Sequence, residues 1–320
     1  MVSFISITTS VKSAHMTQLI LRRLLMGIPV LLAIVTLTFF LVRLAPGGPF
    51  DSEKAVPPEI KKQIEAHYNL DAPLYVQYFD YLKGLTRGDL GPSFTNSSYT
   101  VNELIRMSFP VSLELGCYAL IVALFFGLLA GITASLAPNS YRDYVPMTLA
   151  MIGICVPNFV LGPLMVLVFG LELKWLPVAG WDTVMHKILP ALTLGAMYAA
   201  YVARLSRGGM MEVLSNDFIR TARAKGVSEA GVVLRHSLRG GITPVVSFLG
   251  PAAAGLVSGS FVIETIFHIP GLGQNFVNSA LNRDYTMILG TVLVYATLIY
   301  LLNLFVDVIQ AVLDPRLRNA

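Results

Sequence analysis

The stretch LLMGIPVLLAIVTLTFFLV, residues 24–42, decides the fold class. It contains no charged side chain, and its length matches the roughly 20 apolar residues that a helix needs to cross a membrane. The whole 320-residue chain is similar, with 55% hydrophobic and 13% charged residues, against about 25% charged residues in a typical soluble domain. Such a composition excludes disorder, and two cysteines exclude a disulfide scaffold. We therefore predict an all-α polytopic membrane protein.

Working outward from this stretch, the apolar runs predict six transmembrane helices, of which the fourth is the shortest. The runs lie at residues 24–42, 111–136, 145–171, 188–203, 242–267 and 287–313. The predicted domains are a tail at 1–18, a first transmembrane helix at 19–44, a connecting segment at 45–107, a membrane domain at 101–310 and a tail at 311–320.

The distribution of charge predicts the orientation of these helices. The loop between the fourth and fifth runs contains seven basic and three acidic residues, whereas residues 45–108 contain six basic and eight acidic residues. Positive residues accumulate in cytoplasmic loops. We therefore expect both termini and the basic loop to be cytoplasmic and residues 45–107 to be external, facing the periplasm. The same rule explains the basic loop without any nucleic-acid partner.

The external segment contains two short helical patterns. One places Ile60, Ile64 and His67 or Tyr68 on a common face, and the other is LYVQYFDYLKGL, beginning at Leu74. Two interpretations are open: a small helical cap over the mouth of a pore, or a helix pair that packs only on its own membrane domain.

Motifs for enzymatic or metal chemistry are absent from the sequence. There is no G-x-x-x-x-G-K-[ST], H-E-x-x-H, C-x-x-C or G-x-S-x-G pattern. The five histidines are scattered, and Cys117 and Cys155 lie in apolar runs, where buried small side chains are expected. We expect neither an enzyme nor a bound cofactor or metal.

Ionisable residues are scarce in the apolar runs. Glu114, Glu264 and Asp307 are costly in hydrocarbon and are therefore functional candidates. A structural, hydrogen-bonded role is favoured for each, although Glu264 could line the exit of a pathway. So few charges do not suit a proton-driven carrier, which indicates that energy enters from elsewhere.

Two pairs of glycines are spaced for close helix packing. Gly127 with Gly131, and Gly255 with Gly259, form G-x-x-x-G patterns that let helices approach closely in lipid. We favour packing within the chain over a subunit interface. Kinks are expected at the prolines inside the runs, which are Pro157, Pro163 and Pro251.

The cytoplasmic loop at residues 212–241 has a helical pattern of its own. A short helix is expected over Asp217–Ala224, capped by Asn216 or Asp217, with Gly226 ending it in a left-handed conformation. A second helix is expected to begin at Ser228. A short helix with small and basic side chains can dock in a groove of a cytosolic partner, but a basic loop that only fixes topology is an equal alternative.

The sequence TARAKG, at residues 221–226 of this loop, resembles the EAA-type loop of ABC-transporter permeases, in the form found in the peptide and nickel branch. Counting back from Gly226, Arg220 and Thr221 stand where that motif has Glu and the first Ala, and Ala222 stands on the second Ala. The Glu of the general motif is therefore replaced by Arg220 in this chain. Further segments resemble the B-type permease of oligopeptide importers, namely LILRRLLMGIP at 19, RLAPGGPF at 43, GDLGPSF at 88, SFPVSLELG at 108, VIETIFHIPGLGQNFVNSALNRDY at 262 and VIQAVLDPRLR at 308.

This resemblance implies a type I ABC importer fold in a bacterial inner membrane. It implies that the chain pairs with a homologous second permease, that two cytosolic ATP-binding subunits bind the ATP, and that an external peptide-binding protein delivers an oligopeptide. The implied docking segment consists of Arg220, Thr221, Ala222, Arg223, Ala224, Lys225 and Gly226. Other cargoes remain open, namely dipeptides, nickel chelates, glutathione and antimicrobial peptides, as do two other classes, a stand-alone secondary carrier and a non-transporting receptor.

Overall fold

A computed structural model describes residues 2–45, 47–50, 62–63, 66–258 and 261–313. The predicted all-α class is confirmed, since 79% of the chain is helical and no strand occurs in these ranges. The helices are α1 Val2–Leu44, α2 Leu74–Thr86, α3 Val101–Leu136, α4 Tyr141–Cys155, α5 Asn158–Met165, α6 Val184–Leu214, α7 Asp217–Ala224, α8 Glu229–Gly231, α9 Thr243–Ser258, α10 Phe261–Ile266, α11 Leu272–Leu281 and α12 Tyr285–Leu313. Wider π-type turns continue α5 over Val166–Glu172 and α8 over Val232–Ser237, after which α8 resumes over Leu238–Gly241.

Four helices in the described residues are long and apolar enough to cross a membrane, and a bent pair raises that number to five. The four are Ile20–Leu44 of α1, α3, α6 and Tyr285–Ile309 of α12. The predicted fourth run, residues 188–203, is shorter than α6. Arg204 and Arg207 end the apolar pattern, but the helix continues to Leu214. The predicted fifth run is divided between α9 and α10, and only Thr243–Leu256 forms an apolar helix there.

The run predicted over residues 145–171, with kinks at its prolines, is divided between two helices. Helix α4 and the extended α5 are bent by 109° at the break before Pro157. A proline disfavours helical geometry in the residue before it, and Val156 accordingly has φ −94° and ψ 116°. The kink predicted at Pro157 is therefore a sharp break. The chain beyond the break can complete a span or return to the same side.

Helix α6 packs against α3 through small residues in a unit formed mainly by residues 113–269. An added Cβ at Gly127 would lie 2.6 Å from the carbonyl oxygen of Ala199, and one at Gly195 would lie 2.7 Å from that of Ala119. Gly131 likewise leaves no room for a side chain beside Ser206. The preference for intrachain packing of Gly127 and Gly131 is therefore confirmed. Gly255 faces Tyr198 of α6, whereas Gly259 lies outside the described residues.

A second unit is formed mainly by residues 21–112 and 270–300. Its core contains Val101, Ile105, Leu272 and Met287. The buried carboxylate of Asp284 accepts hydrogen bonds from Ser93 Oγ at 2.5 Å, from the Thr95 N–H at 3.1 Å and from the Met287 N–H at 3.1 Å. It therefore caps α12 and fixes the segment around Ser93 to the start of that helix.

Replacing Gly127 with Leu should separate α3 from α6. Overpacking of a close contact costs about 1–3 kcal/mol, so we expect a lower midpoint of thermal unfolding for the purified protein in detergent. The matched control is Gly208→Leu on α6, where an added Cβ meets nothing within 4 Å. Equal midpoints for the two variants would show that α3 and α6 do not depend on this contact.

Candidate functional site

Helix α7 has one face buried against its own chain. Ile219 is fully buried and Ala222 is 7% exposed, and both pack in a small core with Val232 of α8. Leu214 and Val227, on either side of α7, complete that core. The spacing of three residues between Ile219 and Ala222 places both on one side of the helix, so α7 is held in a fixed orientation between α6 and α8.

The C-terminus of α7 is closed by a Schellman motif. Gly226 has φ +80°, and its N–H donates to the carbonyl oxygen of Arg223 at 2.9 Å. The Val227 N–H donates to the carbonyl oxygen of Ala222 at 3.2 Å. This pair of hydrogen bonds requires a left-handed residue at the position of Gly226, for which glycine is the favoured residue. The predicted helix bounds and the predicted conformation of Gly226 are both confirmed.

An ion pair links α7 to α8. Arg223 Nε donates to Glu229 Oε1 at 2.8 Å, and a terminal nitrogen of Arg223 donates to Glu229 Oε2 at 3.1 Å. The hydrogen bond from Arg223 lowers the pKa of the Glu229 carboxyl below its ordinary value. The pair is therefore present at neutral pH and is lost as the pH falls through that lowered pKa. Ser228 caps α8 as expected, accepting from the Gly231 N–H at 3.3 Å.

The opposite face of α7 is open and carries small and basic side chains. The exposed residues predicted for docking are Arg220, Thr221, Arg223, Ala224, Lys225 and Gly226. Ala222, which the motif also includes, is buried and therefore holds α7 in place. Phe218 is 51% exposed beside the open face. Sequence analysis did not select it, although an aromatic residue next to a polar helix cap is a signal that could have identified it.

Helix α6 leads into α7 after two residues, and a bidentate ion pair holds α6 about two turns before its end. Arg207 Nε donates to Asp143 Oδ1 at 2.6 Å, and a second Arg207 nitrogen donates to Asp143 Oδ2 at 2.6 Å. The Asn139 N–H also donates to Asp143 Oδ2, at 2.9 Å. The Asp143 side chain is 3% exposed, so this carboxylate joins α6, α4 and the loop before α4 at one buried point. Sequence analysis missed the pair because its members are 64 residues apart.

The three acids of the apolar runs have different environments. Glu114 accepts from Lys187 Nζ at 2.5 Å and from Trp181 Nε1 at 3.2 Å, which agrees with the structural role expected for it. Glu264 is fully buried, and its role in lining a pathway stays a prediction. The role of Asp307 likewise stays a prediction. Cys117 and Cys155 are exposed on the surface of the chain, so the burial expected for them is wrong. Among the described residues, no group of three or more His, Cys, Asp or Glu side chains could hold a metal ion.

Comparison with known proteins identifies the family. Residues 123–319 match the model of the "Binding-protein-dependent transport system inner membrane component", and residues 16–116 match the corresponding N-terminal model. The chain is 48% identical over 305 residues to the oligopeptide transport system permease protein OppB of Haemophilus influenzae, and 48% identical to that of Escherichia coli K12. Each match covers 95% of this chain and 100% of the relative.

More distant matches are consistent with this result. The chain is 41% identical over 303 residues to the dipeptide transport system permease protein DppB of Bacillus subtilis, covering 95% of this chain and 98% of the relative. A crystal structure of an amino acid ABC transporter has the same fold, with a TM-score of 0.51 and 15% identity over 65% of this chain and 94% of that chain. The chain thus belongs to the family of binding-protein-dependent transport system inner membrane components.

Proposed function

We propose that the chain is the membrane-spanning permease subunit of an ATP-driven oligopeptide importer, in which it forms half of the translocation pathway. The observation that carries this proposal is α7, a short helix with its apolar face packed on its own chain and its small and basic face exposed. The family consists of transport components rather than enzymes. Among the relatives compared, the 48% identity to oligopeptide permeases exceeds the 41% identity to a dipeptide permease, which favours oligopeptides over dipeptides.

The proposed partners are suggested by two features of the chain, namely the absence of a phosphate-binding motif and the exposed face of α7. Its sequence has no phosphate-binding G-x-x-x-x-G-K-[ST] motif, so two cytosolic ATP-binding subunits supply ATP hydrolysis. One of them receives the open face of α7 in this subunit. A homologous second permease provides the other half of the pathway, and an external binding protein delivers the peptide.

The proposed topology has six membrane crossings in a bacterial inner membrane, with both termini cytoplasmic. Four long helices account for four crossings, the bent pair of α4 and α5 for another, and α9 with α10 for the sixth. Residues 45–107 then form the external segment, and the loop at 212–241 faces the ATP-binding subunits. The positive-inside distribution of charge supports this orientation. Glu264, near the external end of α10, remains a candidate for the pathway lining.

The coupling mechanism uses α6 as a rigid connection. Movement of α7 with the ATP-binding subunit is passed to α6, because only Ser215 and Asn216 separate the two helices. Helix α6 is locked to α3 by Gly127 and Gly131 and to α4 by the Asp143–Arg207 pair. The three helices therefore move together, and the permease alternates between inward-open and outward-open states. A stand-alone carrier is the alternative, and uptake by the isolated subunit under a proton gradient would favour it.

Changing Gly226 to Ala tests the fixed end of α7. The added Cβ meets no atom within 4 Å, so the cost is the left-handed conformation, about 1–2 kcal/mol for an L-residue. We expect reduced peptide-stimulated ATP hydrolysis in the reconstituted complex, and partial retention in Gly226→Asn because Asn tolerates this conformation better. The same activity in both variants and in the unchanged protein would contradict the role of the Schellman motif in coupling.

Reversing the charge of Arg220 tests the open face. An unpaired or repelled charge at a docked surface costs several kcal/mol, and each 1.4 kcal/mol corresponds to about tenfold in binding. We expect Arg220→Glu to lower copurification of the ATP-binding subunit about tenfold or more. Arg235→Glu is the control, since Arg235 is also exposed but lies on α8. The proposal fails if Arg235→Glu weakens assembly and Arg220→Glu does not.

A double-mutant cycle on Asp143 and Arg207 tests the connection through α6. We expect Asp143→Asn and Arg207→Met each to lower, several-fold, the peptide transported per ATP hydrolysed, because each leaves its partner without the ion pair. If the residues act together, the double variant should be little worse than either single variant. Two results would contradict a role of the pair in coupling. One is additive losses in the double variant, and the other is an unchanged ratio of peptide transported to ATP hydrolysed with only a lower protein yield, which would show that the pair serves folding alone.

A further inference from the structure

Helix α2 packs on α1 well before the end of that helix. Thr36 Oγ1 donates to the carbonyl oxygen of Leu32 at 2.7 Å, so Tyr78 Oη donates to Thr36 Oγ1, also at 2.7 Å. Thr36 lies eight residues before Leu44, the end of α1. At 1.5 Å per residue, this is about 12 Å along the helix axis.

The length of α1 shows how much of this depth is hydrocarbon. The apolar span Ile20–Leu44 has 25 residues, or about 37 Å of helix, against a hydrocarbon core of about 30 Å. If the excess is shared between the two ends, only about 4 Å of the 12 Å lies outside the hydrocarbon. The hydroxyl of Tyr78 therefore lies about 8 Å below the boundary between acyl chains and headgroups, and α2 cannot lie wholly in bulk water.

Other contacts hold α2 along the same end of α1. The ring of Tyr78 lies 5.2 Å from that of Phe39 and 5.7 Å from that of Phe40. Arg43 Nε donates to Gln77 Oε1 at 3.2 Å. These contacts extend from the buried part of α1 to its end, so the position of α2 is set by several interactions.

The face of α2 that points away from α1 is divided into an aromatic and a charged flank. Tyr75 is 65% exposed and Phe79 is 64% exposed, and they are 40° apart at 100° per residue. Asp80 is exposed on the neighbouring flank, 100° from Phe79, and the exposed Lys83 lies between the two, 40° from Phe79. The aromatic flank is continuous with the apolar surface of α1, because Phe79 contacts Tyr78 at 5.6 Å and Tyr78 contacts the exposed Phe40.

We infer that α2 is an interfacial helix whose partner is the lipid bilayer. Its Tyr75 and Phe79 flank lies at the acyl-chain boundary of the leaflet on the side where α1 ends, and Asp80 faces water. Helices of this kind bury their apolar side about 5–10 Å below the headgroups, and aromatic rings are favoured at that level. The inference rests on the membrane span of α1 and is independent of ATPase coupling. Of the two interpretations of the external segment, it favours packing on the membrane domain for α2.

Spin labels at adjacent positions test this placement in the whole complex, reconstituted in phosphatidylethanolamine and phosphatidylglycerol vesicles. Cys117 and Cys155 are first replaced by Ala, and single cysteines are introduced as Phe79→Cys and, 100° around the helix, Asp80→Cys. Collision rates with oxygen, which partitions into lipid, and with a polar nickel chelate are then measured. We expect a ratio of oxygen to nickel collisions several-fold higher at position 79 than at position 80. Tyr75→Cys provides a second lipid-facing position and should behave like position 79.

Two results would overturn the inference. Equal and frequent nickel collisions at positions 75, 79 and 80 would place α2 in water. Rare collisions with both reagents at positions 75 and 79 would show that a protein surface, such as the second permease, covers the aromatic flank. Because all three positions are exposed, the labels replace no buried side chain, and ATP hydrolysis by the labelled complex verifies that it is assembled.

Discussion

The close approach of α6 to α3 and α4 is the constraint on which the described membrane domain depends. Lipid provides no hydrophobic force that pushes helices together, so packing must come from close backbone contact and interhelical polar bonds. Gly127 and Gly131 provide the contact with α3. Gly153 and the Asp143–Arg207 pair provide the contact with α4. Larger side chains on these faces would separate the helices that precede the loop at residues 212–241.

The same need for packing explains how the short helix α7, in the loop at residues 212–241, is held in place. A helix of eight residues is too short to be stable alone, and α7 is ordered because Ile219 and Ala222 pack between its neighbours. The packing leaves the other face of α7 exposed, and in the proposed mechanism the displacement of that face by a partner is passed to α6. In this account, the chain separates two tasks along one short helix: the buried side holds the helix, and the exposed side meets the proposed ATP-binding subunit.

Local features of the sequence predicted local structure well. The bounds of α7, the left-handed Gly226 and the Ser228 cap follow from interactions within a few residues, and all three are confirmed. The family resemblance is also confirmed by the comparisons. The count of six spans was not settled, because the break before Pro157 depends on how both arms pack after the helix ends. Long-range pairs such as Asp143 with Arg207, or Thr36 with Tyr78, have no local signal in one sequence. The burial of Ala222 could not be predicted from the motif alone either, because it depends on where Val232 of α8 packs.

Site-specific cross-linking tests the central claim most directly, namely that the exposed face of α7 meets an ATP-binding subunit. A single cysteine is introduced as Ala224→Cys in a complex whose native Cys117 and Cys155 are replaced by Ala, and it is labelled with a short thiol-linked photoreactive group. The account predicts a covalent product with the ATP-binding subunit from position 224, and a much weaker one from Ala230→Cys on α8. An intact, active complex in which position 224 forms no product with that subunit would contradict the account.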